Sequence, residues 1–198
     1  MGFGASEGKR PAGRMSSAKI IVSGGFGAGK TTTIGAVSDI DPLRTEARIT
    51  EASRGIDDTT HVQAKTTTTV AMDFGRVALA EDLVLYLFGT PGQDRFWFMW
   101  DDLVIGAIGA VIVVDTRRLE DSFAPVDYFE ERGLPFVVAV NAFDGHSSHT
   151  PEQVRQALGL SPGVPVLACD ARRRADVLPV LISVVEHALM THCRTDGG

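Results

Sequence analysis

The octapeptide GGFGAGKT at 24–31 constrains this chain more than any other stretch. It satisfies G-x-x-x-x-G-K-[ST] from Gly24 to Thr31. Before it stands a short β-branched run, AKIIVSG at 18–24, and after it a helix-forming run, GKTTTIGAVSDI at 29–40. A glycine-rich turn in that context lets backbone N–H groups point inward around a phosphate. The helix that follows presents its partially positive N-terminus to the same place. Gly24, Gly25, Phe26, Gly27, Ala28 and Gly29 form the cradle, Lys30 reaches the outer phosphates, Thr31 offers its hydroxyl to Mg²⁺, and Thr32 is the next binding position. The loop alone does not choose between adenine and guanine.

A phosphate loop needs a sheet behind it, and the apolar punctuation supplies one. VAMDFGRVAL (70–79) alternates like an edge or half-buried strand and DLVLYLFG (82–89) follows after two residues, which predicts an antiparallel hairpin. Further strands are expected at 110–116, within 134–145 where a strand runs into a loop, and at 164–171, and helices around 96–107, at 119–133 with a kink at Pro125, at 150–160 and at 175–190. Thr150, Pro151 and Gln153 carry the signature of a capping box with proline at the first helical position. Strands alternating with helices predict an α/β, three-layer P-loop NTPase. Its sheet is mostly parallel with one antiparallel edge strand, and helices cover both faces. The domain is expected over 18–192, with 1–17 as a disordered leader and 193–198 as a flexible tail. Residues 41–69 form a long, polar, Thr-rich connection, and a connection of that length points to a mobile functional element.

The tetrapeptide NAFD (141–144) ends a strand and addresses the base. Guanine presents a ring N–H beside an exocyclic amine, so one carboxylate accepting both selects it over adenine, and Asp144 is placed to do this. Asn141 would tie the base loop to the phosphate loop. An ordinary Asx turn after a strand is the plainer reading of the same four residues.

These motifs together resemble the Ras-like small GTPases over about 18–192. The nearest branch is that of bacterial MglA and the D-type proteins of actinobacterial conservon operons, including the MfpB-like members. In the family the base motif is N-K-x-D; here Ala142 replaces the lysine whose stem packs along the base. The resemblance assigns Ala171 and Arg172, within ACDAR (168–172), to the guanine carbonyl and to a stem along the base. It makes 41–69 switch I, with Thr69 as the threonine that meets Mg²⁺ and the γ-phosphate; Thr66, Thr67 and Thr68 are alternatives within a run of four. It makes 89–102 switch II, in which Gly92 offers its N–H to the γ-phosphate and Gln93, the catalytic residue, orients the attacking water.

Two departures from that pattern matter. Gly89 replaces the switch II aspartate that holds a magnesium-bound water. Asp115, at the end of a neighbouring strand, is the first substitute to consider and Asp73 the second. Phe26 stands in the phosphate loop where Ras proteins carry glycine, which implies slow intrinsic hydrolysis. Arg54 and Arg95 are candidate internal arginines, beside one supplied by a partner. The reading is therefore a slow, partner-regulated GTPase switch using GTP/GDP and Mg²⁺. Its alternatives are a nucleotide-dependent binding module with negligible hydrolysis, and a P-loop ATPase or small-molecule kinase. The resemblance implies a roadblock-fold, MglB-like regulator and other conservon-type proteins as partners.

Bulk properties exclude other classes. The net charge is −6 and the basic residues are scattered, which gives no stripe for a nucleic-acid backbone. Two cysteines, Cys169 and Cys193, lack metal-ligand spacing and fit a reducing, cytoplasmic interior. No apolar run approaches the ~18 residues of a membrane span. The opening MGFGAS formally fits an N-myristoylation pattern, although Phe3 beside Gly2 is unfavourable. In FWFMW (96–100), Phe96, Met99 and Trp100, with Leu103, share a helical face expected in the core. Trp97 and Phe98 fall off that stripe and suggest a partner surface.

Overall fold

Each apolar run that glycine or proline interrupts becomes a strand, and each amphipathic run between strands becomes a helix. A computed structural model describes residues 16–41, 43–50, 67–92, 94–143 and 147–195. In chain order the elements are β1 (Ser16–Ser23), α1 (Lys30–Val37), β2 (Leu43–Thr50), β3 (Thr67–Ala80), β4 (Leu83–Gly89), α2 (Trp100–Val104) and β5 (Ala107–Val114). They continue with α3 (Phe123–Glu131), β6 (Phe136–Asn141), α4 (Pro151–Ala157), β7 (Val166–Cys169) and α5 (Arg174–Thr195). One 3₁₀ segment, Asp94–Met99, leads into α2 and another, Thr116–Ser122, into α3.

The sheet has seven strands in the order β2-β3-β4-β1-β5-β6-β7. β3 runs antiparallel to both neighbours, while β4, β1, β5, β6 and β7 are mutually parallel. This is the P-loop NTPase arrangement. β1 has β4 on one side and β5 on the other, so the order reverses there and a crevice opens beyond its C-terminal end, where α/β sheets bind ligands. Ile20 and Val22 face a core shared with α1 and α5, and Ile21 faces a second core shared with α2, α3 and α4. One strand, with period-two side chains, thereby carries apolar residues to both layers.

Four expectations need correction. The antiparallel strand β3 is not at the edge, because β2 covers it in register from Leu43↔Phe74 to Thr50↔Thr67. Two parts of the presumed mobile connection, 43–50 and 67–69, are thus strand: LRTEARIT alternates well enough to pair with the β-prone TTTVAMDF, whereas 51–66 lies outside the described residues. Pro125 does not kink α3. It occupies the first helical turn, where its missing N–H has no partner to lose, and the break falls at Arg118 (φ −141°, ψ 56°). The helical stretch at 96–107 is a 3₁₀ segment followed by only five residues of α2.

The fourth correction concerns α5, which is long and apolar enough over Arg174–Cys193 to cross a membrane by length and composition alone. In the fold its Val177, Val180, Leu181 and Val184 are buried in the core beneath β5 and β6, while Ile182, Leu189 and Met190 are exposed. Thr150 caps α4 as expected, with the reciprocal Gln153 bond of a capping box.

Candidate nucleotide site

The crevice at the end of β1 is built from backbone first. Gly24 has φ 139°, and a Cβ there would stand 2.2 Å from the Val113 carbonyl oxygen. Gly29 has φ 112° at the N-cap of α1, and a Cβ there would meet the Asn141 amide at 2.7 Å. Only glycine fits at both points, because of left-handed backbone and close approach together. Gly29 also leaves α1 without a side-chain cap, so the first-turn N–H groups face the crevice. A hollow of about 380 Å³ lies in front of them, lined among others by Lys30, Thr31, Thr32, Asp73 and Gly92.

Lys30 is buried, and its Nζ donates to the Gly24 and Gly25 carbonyls at 2.8 and 2.7 Å. Burial pushes its pKa down to about 8, against the upward pull of the Asp73 and Asp121 charges. A lysine so desolvated gains from an anion that replaces its lost water. Asp121 was not singled out in the sequence. It sits where a Cβ on Gly25 would be 2.5 Å from its own Cβ, and it is paired with Arg118 at 2.8 Å.

Three separate loops meet at Asn141. Its Nδ2 donates to the Ala28 carbonyl at 2.9 Å and its Oδ1 accepts from the Ala171 N–H at 3.0 Å, all buried. The structure therefore joins the phosphate loop to the base loop. The Ala171 N–H expected to meet the guanine carbonyl is instead held by Asn141, because the side chain lies between the two loops. Arg172 folds back on Asp170 through its Nε and Nη2, so its stem is committed there; that pairing holds the Asp170 carboxyl down at about 2. Asp144 lies outside the described residues.

The metal side is rearranged. The Thr31 hydroxyl donates to Asp73 in β3. Phe74 pairs with Phe88 in the antiparallel β3–β4 ladder, which puts Asp73 directly across from Gly89. A Cβ on Gly89 would sit 3.2 Å from the Asp73 Cβ and as close to Ile34. The carboxylate missing from β4 is therefore present on the neighbouring strand, in space that an aspartate at 89 would contest. Counting the hairpin back from Ala80↔Leu83 at its turn would have set Asp73 opposite Thr90; the bulge between Ala78 and Ala80 shifts the register by one and brings it to Gly89.

Asp115, ranked first in the sequence, is not available. It accepts from the Arg117 N–H and from Nε and Nη2 of the same residue at 2.7–3.0 Å, and these bonds hold its carboxyl below the usual range. The donor set of Thr31 hydroxyl and Asp73 carboxylate, hard oxygens beside a phosphate pocket, fits Mg²⁺.

The remaining switch residues divide. Gly92 lies over the phosphate loop, where a Cβ would meet Lys30 Nζ at 2.5 Å and Phe26 Cα at 3.1 Å. Phe26 is 63% exposed. Thr69 pairs with Arg48 in the β2–β3 ladder, four residues before Asp73 and thus about 13 Å along the strand from the residue that touches Thr31. The site residues Gly27 and Thr32 line the crevice without hindrance. Gln93, Thr66 and Arg54 lie outside the described residues. Of the aromatic run, Trp100 and Leu103 are buried and Phe98 is 58% exposed. Trp97 stacks on Trp100 at 5.3 Å.

Comparison with known proteins agrees with this geometry. Residues 22–191 match the model of a family described as conserved hypothetical ATP binding protein. An uncharacterized protein of Methanocaldococcus jannaschii is 27% identical over 136 residues, which cover 68% of this chain and 75% of that one. Among solved structures, the G domain of the FeoB iron transporter of T. maritima superposes with a TM-score of 0.60 at 17% identity, covering 87% of this chain and 99% of that one. An NFeoB mutant of S. thermophilus described as bound to GDP gives 0.60 at 20% identity, covering 86% and 61%. These likenesses establish the fold.

Proposed function

The chain belongs to the family of conserved hypothetical ATP-binding proteins, and on the geometry of its site we propose that within that family it is a guanine-nucleotide switch that hydrolyses GTP slowly to GDP. The observation that carries the proposal is Asn141, which bonds the phosphate loop and the loop after β7 at once. That double engagement, with Asp144 three residues on in the sequence, supports reading NAFD as a base-recognition motif of the G-domain kind. FeoB G domains share the fold, and one is described as carrying GDP.

In this reading the glycine cradle and the N-terminus of α1 bind the phosphates, and Lys30 turns from the loop carbonyls to the outer phosphate oxygens. Thr31 and Asp73 would hold Mg²⁺, which would neutralise phosphate charge during transfer. Gly92 steadies the terminal phosphate and Gln93 orients water. Phe26, beside Gly92, crowds that approach and keeps hydrolysis slow. Thr69 must leave the β2 ladder to reach the metal, so triphosphate binding and repacking of β2 and β3 are one event. Partners of the roadblock, MglB-like kind and a cytoplasmic setting follow from the resemblance to the MglA and conservon branch.

A second reading takes ATP as the ligand, favoured by Ala142 in the base motif and by the family's description. The nucleotide carried by the purified chain, with competition of GTP and ATP against fluorescent GDP, decides between them. ATP competing as well as GTP would sink the guanine assignment. Single-turnover hydrolysis should fall on Gln93→Ala; an unchanged rate removes Gln93 from the mechanism, and a wild-type chain that releases no phosphate leaves only the binding module.

A further inference from the structure

A groove that begins at the phosphate loop runs away from it between the 94–104 segment and α3. It consists of two adjacent hollows, of about 560 and 470 Å³, that share Trp97 and Ala124 in their walls and together reach from the phosphate loop to Arg132 at the end of α3. Its α3 wall presents Ala124, Asp127, Tyr128 and Glu131, the i, i+3, i+4, i+7 spacing of a single helical stripe. Its other wall presents Trp97 and the exposed Phe98, and Phe26 stands at the phosphate-loop end.

The charge of the lining is lopsided. Five carboxylates (Asp101, Glu120, Asp121, Asp127 and Glu131) face two guanidinium groups, Arg118 and Arg132. Both arginines are already engaged within the lining, Arg118 with Asp121 at 2.8 Å and Arg132 with Asp101 and over the Tyr128 ring at 3.7 Å. The groove is left with a net charge of −3, carried by Glu120, Asp127 and Glu131.

From aromatic anchors and net negative charge together, we infer that this groove receives a basic amphipathic segment of a partner protein. Its apolar side chain enters between Trp97 and Phe26, and its Lys or Arg residues run along Asp127 and Glu131. Aromatic faces beside carboxylates favour a guanidinium or ammonium on an apolar stem. An anionic lipid surface or a nucleic acid is repelled by the same charge. A second copy of a chain with net charge −6 brings no compensating one. Gly92 lines the groove and also lies over Lys30 and Phe26. On the proposed switch reading, occupancy and nucleotide state are therefore linked, and the linkage is reciprocal.

A phage-displayed library of random 16-residue peptides, panned on the GDP-loaded full chain and counter-selected on Asp127→Arg/Glu131→Arg, tests this. The chain's two tryptophans, Trp97 and Trp100, both line the groove and report binding through their emission. Surviving peptides are expected to be net positive with an apolar anchor and to shift tryptophan emission. They should bind at least about tenfold more weakly to the double variant and to wild type at high salt. Trp97→Ala should weaken them similarly, with unchanged far-ultraviolet dichroism and melting showing that both variants fold. Absence of any peptide that depends on the two carboxylates overturns the inference, as does survival of acidic or uncharged peptides. So does a homodimer, seen by sedimentation, that the double variant dissolves. Nucleotide content is measured on the same sample: a chain without guanine nucleotide defeats the switch reading while leaving the groove result to stand. Equal peptide affinity in the GDP and GTP-analogue forms overturns the linkage.

Discussion

The two sides of the nucleotide crevice are built to different standards. On the β5–β6–β7 side, Asn141 is buried and joins Ala28 to Ala171 with both amide groups satisfied, beneath strands packed on two faces. On the β3–β4 side, Thr31 and Asp73 meet at an exposed edge, Gly92 rests on Lys30, and Thr69 is held away in a ladder with β2. The first side already ties its loops together; on the proposed switch reading the second moves to engage a triphosphate. A switch requires this asymmetry, because a ligand shifts an equilibrium only by its differential affinity for the two states.

The sharpest way to break the comparison is to damage the rigid side. Asn141→Ala leaves a buried carbonyl and a buried N–H unpaired, each costing ~1–3 kcal/mol. GDP affinity is expected to fall by ~100-fold, and dissociation of fluorescent GDP, with the melting temperature alongside, measures it. Damage to the other side should be smaller and specific to the metal. Asp73→Asn is expected to raise the Mg²⁺ concentration needed for slow nucleotide release by ~10–100-fold, the usual cost of losing a carboxylate around a metal. Asp115→Asn should leave that requirement unchanged, because its partner is Arg117. Equal effects of the two would place the metal carboxylate elsewhere.

Swapping strands refines the point. Gly89→Asp alone puts a Cβ 3.2 Å from both Asp73 and Ile34 and sets two carboxylates together, so it should lower stability. Combined with Asp73→Gly it should recover most of the Mg²⁺ dependence, to within about tenfold of wild type. No recovery in a folded double variant would mean that Asp73 acts through the strand and not through its carboxylate.

How much of this was legible in the sequence follows the same division. The phosphate loop, six of the seven strands and the Asn141 tie between loops rest on local signals: glycines at fixed offsets, β-branched runs and a strand-ending tetrapeptide. The rearranged side depends on pairing between segments far apart in sequence. Asp73 is opposite Gly89 only through the β3–β4 register, and β2 becomes a strand only because Thr67–Val70 offers it a free edge. Asp115 was the better guess from position along the chain, but a bidentate Arg117 two residues on takes it, a pairing no periodicity reveals. Asp121 reached the phosphate loop through the break at Arg118, which has no proline or glycine to announce it.

Lys30 belongs to both sides, and its proton offers the finest test. Its folded pKa of about 8 lies below the ordinary 10.5 because burial disfavours the ammonium. Below pH 8 the folded, nucleotide-free chain therefore bears a protonation penalty that the unfolded chain does not. That penalty shrinks as pH rises from 8 toward 10.5, so this lysine makes the free protein more stable in that window. A bound phosphate replaces the lost solvation and raises the pKa again, so binding above pH 8 must take up a proton. Affinity for GDP should weaken as pH climbs from 7 to 9, by no more than about tenfold from this group. Calorimetry at pH 8.5 in two buffers of different ionisation enthalpy should show uptake approaching about three-quarters of a proton. Lys30→Arg, which cannot lose its charge, should reduce the uptake to whatever the base contributes; an unchanged value would move the titrating group from Lys30 to elsewhere in the crevice.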